Sequence, residues 1–468
     1  MENFNRLYKQ KLKQGISIFT FQFVMLLLLL PNLLKAQTIG SSADNPFPIS
    51  TVQQLATLAG QVNEGGVFYY EPTDGKYYDQ NATGRVAIDN MAEGAYFKLM
   101  NDIISNHGDV ASCAGVKQSD WYYWGMLGTL NHPFDGYFDG NHHTVSGLLV
   151  RNENATDGTG FCGAIANHAV IKNLGVVNSY VPGTNATGGI VGEALGGKIE
   201  NCFFTGTIVT TGNYTGGLVG QMSVGTEITN SYASATISTS GNQLGGIVGK
   251  IVNSPQNCKI QNVYSSCILH GNFQYTGGIV GENVDNGTVF TNCYYDQQLI
   301  DCRVTPNSDP SSTGAGTAMT TTAMANGSWA PVGFTATGSG NNQYPYITGF
   351  SLSDDAVLFS TVPLFLPPGA SLSDLSTVNT VTVGAVDGVT WTELERVGIG
   401  SFVSPTLSVT GQSYVVLKAA KGSNSRTYVL QFDKAPYIGT ADNPFPINNQ
   451  TDLTNFRDGI NIWYELRL

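Results

Sequence analysis

Between residues 159 and 300 the apolar residues fall in short runs separated by Gly, Asn, Thr and Ser, with no sustained helical period. One unit returns four times, as Gly188-Gly189-Ile190-Val191-Gly192, Gly216-Gly217-Leu218-Val219-Gly220, Gly245-Gly246-Ile247-Val248-Gly249 and Gly277-Gly278-Ile279-Val280-Gly281. A weaker copy, Thr159-Gly160-Phe161-Cys162-Gly163, precedes them, and the steps are 29, 28, 29 and 32 residues. Each copy then reaches an Asn: Asn173, Asn201, Asn230, Asn262 or Asn292. Two residues before it stands Ile171, Ile199, Ile228, Ile260 or Phe290, and two after it, in four copies, Phe203, Tyr232, Tyr264 or Tyr294. Seven after it comes Tyr180, Ile208, Ile237, Leu269 or Leu299.

Three short strand-like segments per repeat make about one coil of a parallel β-helix. Equivalent residues of successive coils then stack roughly 4.8 Å apart. Ile190, Leu218, Ile247 and Ile279 are expected to form an inward aliphatic ladder, and Phe203, Tyr232, Tyr264 and Tyr294 an aromatic one. The Asn column is expected at a turn, whose geometry Asn tolerates, with its amides bonding along the stack. The Gly pairs mark tight corners or close backbone approach.

A solenoid must cover its open ends. Ser50-x-x-Gln53 reads as a capping box, and Leu55, Leu58, Ala59 and Val62 follow at helical spacing, so 50–63 is expected to be a capping helix. Residues 96–104 and 133–150 read as strands of the first coils, and 303–328 as a closing loop with a helical turn near 320–325. Runs at Ala356–Phe359, Val378–Val383, Ser401–Val409, Tyr414–Leu417 and Thr427–Phe432 suggest a small, separate, immunoglobulin-like β-sandwich. Residues 441–447 repeat 43–49 without a change, Ala-Asp-Asn-Pro-Phe-Pro-Ile, at an offset of 398. The expected order is therefore cap and first coils (37–158), repeated coils (159–300), closing segment (301–349), sandwich (350–434) and the truncated start of a second module (435–468).

The repeats resemble the GLUG motif of bacterial surface proteins and adhesins, named for its Gly-Gly-Leu/Ile-Val-Gly core. The resemblance covers about 159–300. Asn45-Pro46-Phe47-Pro48-Ile49 and Phe134-Asp135-Gly136-Tyr137-Phe138-Asp139-Gly140-Asn141 look like that family's leader and first full coil. The first copy departs in lacking its Gly pair, and an insertion lies near 253–257. The expected fold class is all-β: a right-handed parallel β-helix with an N-terminal capping helix, followed by the small β-sandwich. The resemblance implies a secreted or outer-surface protein with an adhesive role.

Composition agrees with this picture. Charged residues are 12% and Gly is 56 of 468, which does not suit a long-helix protein. The net charge of −12 disfavours a nucleic-acid partner. Arg6, Lys9, Lys11 and Lys13, an apolar run over 16–34 and a small residue at Ala36 have the order of a secretory signal, 1–36; the alternative is an uncleaved membrane anchor. No other stretch is long and apolar enough to span a membrane. Seven cysteines (Cys113, Cys162, Cys202, Cys258, Cys267, Cys293, Cys302) include no Cys-x-x-Cys. Buried thiols are expected, with a Cys258–Cys267 or Cys293–Cys302 bridge as the alternative.

Catalytic chemistry finds little support. The best acidic column is Ala164, Glu193, Gln221, Lys250, Glu282, in which Glu193 and Glu282 stand three coils, roughly 14 Å, apart. That exceeds both glycosidase geometries, and Lys250–Glu282 reads as a surface ion pair. Asp135 and Asp139 could take Ca²⁺ but look first like turn residues, and His132, His142 and His143 lack a zinc spacing. No catalytic, metal or cofactor residue is assigned. The aromatic clusters Tyr69, Tyr70, Tyr77, Tyr78 and Trp121, Tyr122, Tyr123, Trp124 either contact a glycan or protein ligand or cover the first coils. The expected function is non-catalytic binding of an extracellular glycan or protein. The alternatives are a polysaccharide lyase or hydrolase and a structural spacer.

Overall fold

Parallel strand pairing joins residue after equivalent residue from Phe47 to Met319 in a computed structural model of the chain. It describes residues 39–432 apart from 90–91, 108–109, 111–120, 152–157, 253–254, 272–274, 286, 303–315, 339–341, 351–359, 373–377, 385, 387 and 423. It also describes two short strands, Phe445–Ile447 and Tyr464–Leu466. The expected signal, 1–36, lies outside the described residues, as do Cys113 and the strand expected at Ala356–Phe359.

The repeats fold as a parallel β-solenoid. In its five-stranded wall, Cys162 pairs with Val191, Val191 with Val219, Val219 with Val248 and Val248 with Val280. Ile190, Leu218, Ile247 and Ile279 are buried in one core with Phe161. Their backbones are linked by N–H···O bonds of 2.9–3.0 Å. The Asn column is left-handed at every rung, with φ between 48° and 52° at Asn173, Asn201, Asn230, Asn262 and Asn292. Asn201 Nδ2 donates to Asn173 Oδ1, Asn262 to Asn230 and Asn292 to Asn262, each at 3.0 Å. At the head of this ladder, Asn173 Nδ2 donates to Asp139 Oδ1 at 2.9 Å.

The repeated glycines serve close approach rather than left-handed turns. A Cβ on the first Gly of each pair would meet the carbonyl oxygen of the Val three residues on, at 2.3 Å for Gly188, 2.1 Å for Gly216, 1.8 Å for Gly245 and 1.9 Å for Gly277. On the second Gly it would strike the Phe204 ring (Gly189) or the Tyr295 ring (Gly278) at 2.1 Å. The corner is too tight for any side chain.

The column seven residues after Asn is corrected at both ends. The paired residues are Val181, Ile208, Ile237, Leu269 and Ile300, not Tyr180 and Leu299. A bulge between Val176 and Ser179 adds one residue to the first coil, and a 3-10 turn over Gln297–Leu299 adds one to the last. Tyr180 is thereby turned outward, packed with Leu149 and Val209.

The N-terminal helix spans Val52–Glu64 and buries Leu55, Leu58, Ala59 and Val62. Its capping box lies one residue later than Ser50/Gln53: Gln54 N–H donates to Thr51 Oγ1, and Gln54 Oε1 accepts from Thr51 N–H. The strand Phe47–Ile49 pairs with Tyr96–Leu99, which in turn pairs with Tyr137–Ser146. The closing helical turn is Thr321–Met324, capped by Thr320.

Beyond it lie a two-stranded antiparallel pair, Phe334–Thr335 with Tyr346–Ile347, and one four-stranded antiparallel sheet; among the described residues of 350–434 no second sheet pairs off to complete a sandwich. The segment expected as one strand, 401–409, is a hairpin: Thr390–Val403 turns at Ser404-Pro405 and returns as Thr406–Lys421. Thr380–Thr382 and Asn424–Phe432 also pair with the returning strand. This sheet shares a hydrophobic cluster with the solenoid flank: Val381, Leu407 and Leu417 belong with Phe203, Tyr232 and Tyr264. The buried Arg426 Nη2 donates to the Ser234 carbonyl. Residues 445–447 pair with 464–466 in parallel, as 47–49 pair with 97–99, which extends the sequence repeat to the strand level.

Candidate functional site

A strand buries alternate side chains and presents the others outward, so each solenoid wall has an outer face that is either covered or open. The aromatic ladder belongs to a covered flank. Phe203, Tyr232 and Tyr264 stack nearly parallel, with centroids 4.9 and 4.8 Å apart. They are buried beneath Trp329, Phe334, Tyr344 and Phe350. Tyr264 donates its hydroxyl to the Pro345 carbonyl.

The two aromatic clusters singled out from sequence mainly cover the first coils. Trp124 is fully buried, stacked on Phe161 at 5.5 Å, with its indole N–H donating to the Phe161 carbonyl. Trp121 and Tyr123 pack over Leu149, Tyr180 and Val209. Asn106 pins that segment: its side chain bonds both the N–H and the carbonyl of Tyr122 and the Gly147 carbonyl. Tyr70 and Tyr77 are buried against Phe47, while Tyr69 and Tyr78 are half-buried in a small antiparallel sheet.

The wall that begins with Tyr96–Leu99 and Tyr137–Ser146 keeps an open outer face. It carries, rung by rung, Tyr96 and Lys98, Tyr137 and Asp139, Val170 and Lys172, Lys198 and Glu200, Glu227 and Thr229, then Lys259 and Gln261. Charges alternate along it and pair: Lys172–Asp139 at 3.5 Å, Lys198–Glu227 at 3.1 Å and Lys259–Glu227 at 2.7 Å. These contacts, led by the Lys259 hydrogen bond, hold the Glu227 carboxyl below its ordinary range. At the N-terminal end the face sinks into a groove of about 530 Å³, lined among others by Pro46, Tyr96, Lys98, Tyr137, Asp139, His168, Lys172 and Glu200. Tyr96 and Tyr137 stack there with centroids 4.1 Å apart and planes 2° from parallel. That volume lies within the usual range for small-ligand clefts, roughly 300–1,000 Å³.

The candidate ligating residues divide. Asp139 is a structural acceptor: its Oδ1 takes the Asn141 N–H and Asn173 Nδ2, and its Oδ2 faces Lys172. Asp135 is buried and accepts from His168 twice, from the N–H at 2.7 Å and from Nδ1 at 3.0 Å. Glu93, 4.0 Å from the same imidazole, brings one nitrogen and two carboxylates within 4.8 Å of one another. His132 binds the Asn63 carbonyl, His142 packs on Phe350, and His143 faces Asp102. His168, Glu93, Lys172 and Glu200 were not singled out from sequence. Their columns change chemistry from coil to coil, so no repeat marks them.

The hydrogen bond that His168 donates to Asp135, reinforced by the carboxylate charge, raises the His168 pKa above its ordinary value. In a pH titration followed by NMR, His168 should titrate above about 6.5. Asp135→Asn should bring it down; an unchanged midpoint would remove Asp135 as the cause. Because the folded-state value is the raised one, this pair's contribution to stability is complete below the unfolded pKa. It disappears as pH rises through the folded value.

The acidic column and the thiols are engaged or buried among the described residues. The acidic column pairs as its spacing requires, Glu193 with Gln221 at 3.0 Å and Lys250 with Glu282 at 2.9 Å. Cys162, Cys202, Cys258, Cys267 and Cys293 are free and buried, as expected, and neither alternative bridge is formed. Burial pushes the Cys202 and Cys293 thiols up to about 12, and those of Cys258 and Cys267 up to about 11, away from the reactive thiolate.

The repeat and the coil make this chain a parallel β-solenoid that carries the GLUG motif. The GLUG motif matches residues 183–209, one coil from the end of one strand through Gly188–Gly192 to the next. Halomucin of Haloquadratum walsbyi is 27% identical over 191 residues, which is 37% of this chain and 2% of that much longer protein. A crystal structure of a candidate immunoglobulin A1 protease from Bacteroides ovatus superposes with a TM-score of 0.44 at 20% identity, over 67% of this chain and 96% of that one. Among the described residues no helix is long and apolar enough to cross a membrane.

Proposed function

We propose that this is a secreted or cell-surface protein that binds an extracellular glycan or protein through the open wall of its solenoid, without catalysis. The observation that carries the reading is the asymmetry of the walls. One flank is buried by the segments that follow the coils and another by Val110, Trp121 and Tyr123, while the wall bearing Tyr96, Tyr137 and the alternating charges stays open over several rungs. Extended repeat surfaces of this kind are how solenoids bind. Export is supported by the order of residues 1–36, and surface location by the GLUG motif and the likeness to Halomucin.

The second reading, a polysaccharide lyase or hydrolase, would draw within the groove on Asp139 and Glu200, two rungs or roughly 10 Å apart. Asp139 already accepts hydrogen bonds from Asn141 and Asn173 and faces Lys172, which favours a structural role. Full-length protein should be placed on a glycan array and incubated with the same polysaccharides in reducing-end and unsaturated-product assays. Binding without new chain ends is the expected result. New ends that vanish in Glu200→Gln would replace this reading by the enzymatic one. Absence of both would leave a protein ligand or a spacer.

A further inference from the structure

We propose that the groove at the N-terminal end of the open wall takes an acidic oligosaccharide, with a sugar carboxylate against Lys98 and sugar hydroxyls against Glu200; this rests on the glycan reading above. Four charged residues occupy successive rungs of one column: Lys98, Asp139, Lys172 and Glu200. The two inner ones are satisfied by each other, at 3.5 Å. Both oxygens of Asp139 are engaged, Oδ1 by Asn141 and Asn173 and Oδ2 by Lys172. No ion pair joins Lys98 to Asp139, its neighbour in register, and neither Lys98 nor Glu200 has an ion-pair partner among the described residues.

An ammonium and a carboxylate are thus left at opposite ends of the groove, three rungs or about 14 Å apart. That is the span of a short oligosaccharide. Both side chains are half-buried, where a charge interacts more strongly with its partner than in bulk water. Beside Lys98 the stacked Tyr96 and Tyr137 bring two phenol hydroxyls together, which can donate to and accept from ring hydroxyls. A saccharide bearing a carboxylate complements the cationic end, and its hydroxyls are donors for Glu200. The chain as a whole is −12 and repels anionic polymers. A local cation facing the groove is what makes such a ligand selectable.

The test uses full-length protein and an array of uronate- and sialate-bearing oligosaccharides beside their carboxyl-reduced, neutral counterparts. The acidic members should bind about ten-fold or more tightly than the reduced ones, as befits one charge-assisted contact. Lys98→Gln should abolish that preference and Lys98→Arg retain it. Lys76→Gln, in the small antiparallel sheet away from that wall, should leave it unchanged. Unfolding midpoints of all variants report that the fold is intact. Neutral sugars bound as well as acidic ones, or a preference that survives Lys98→Gln, would overturn the proposal while leaving the glycan reading standing. No binding to any member would sink both.

Discussion

Alanine at Gly245 should destabilise the solenoid by about 3 kcal/mol or more, an effect at the upper end for one added methyl group. The added Cβ would lie 1.8 Å from the Val248 carbonyl oxygen and 2.7 Å from the Gly281 N–H nitrogen, both backbone atoms. A side chain could swing aside, but these are main-chain atoms, one in the same corner and one in the next coil. Ile247 and Val248 beside them donate to the Ile279 carbonyl at 2.9 Å. The strain therefore reaches the next rung. Urea unfolding of the variant should show the loss as a lower midpoint with little change in slope. Gly60→Ala is the matched control. Gly60 sits in the helix Val52–Glu64 with nothing within 4 Å of its Cβ position. There alanine should stabilise by about 0.5–1 kcal/mol through helix propensity. Similar losses at both positions would mean that the repeated glycines are not there for space.

Between about pH 4 and pH 6 the protein should lose about 3 kcal/mol of stability through one residue, Asp296. Its carboxyl is buried where the last coil meets the closing segment, accepting from the Tyr344 hydroxyl at 2.7 Å and from the Gln298 N–H at 3.0 Å. Burial raises its pKa from 3.8 to about 6, and these hydrogen bonds only partly offset the rise. The sign follows directly. The folded state holds the proton more tightly than the unfolded one, so the contribution is most favourable below the unfolded value. It declines as pH rises and levels off above the folded value. Carboxylates held low, such as Glu227, act in the opposite direction. The quantity to measure is therefore the difference in unfolding free energy between the natural protein and Asp296→Asn across pH 4 to 7. That difference should change by about 3 kcal/mol in favour of the variant as pH rises. A flat difference would show that Asp296 titrates as it does in water.

The coil was legible in the sequence because its physics is repetitive. Residues that stack on their own equivalents impose the same chemistry at each step, so Ile190, Leu218, Ile247 and Ile279, the left-handed Asn column and the Lys250–Glu282 pair could be placed by counting. The capping helix was legible to within one residue, because its cap is a local exchange of hydrogen bonds between Thr51 and Gln54. The strand register failed where a single residue was inserted without a composition signal, in the bulge between Val176 and Ser179. With a side-chain period of two, that is enough to turn Tyr180 from the core to the outside.

Which walls are covered was decided by tertiary structure. The aromatic ladder is visible in the sequence, yet its burial depends on Trp329, Phe334 and Phe350, which occur once each and reach it across dozens of residues. The same holds for Arg426 and Ser234, 192 residues apart. The groove belongs to this second class. Tyr96, Lys98 and Tyr137 alternate with the buried Phe97 and Phe138 in a way that marks an outward face, but His168 and Glu200 come from later coils and repeat nothing. A stacking interaction between equivalents leaves a period in the chain, whereas a contact made once leaves none. The sequence therefore determined the coil, its columns and its capped end, while only the packed structure decided which face of that coil stays open to a ligand.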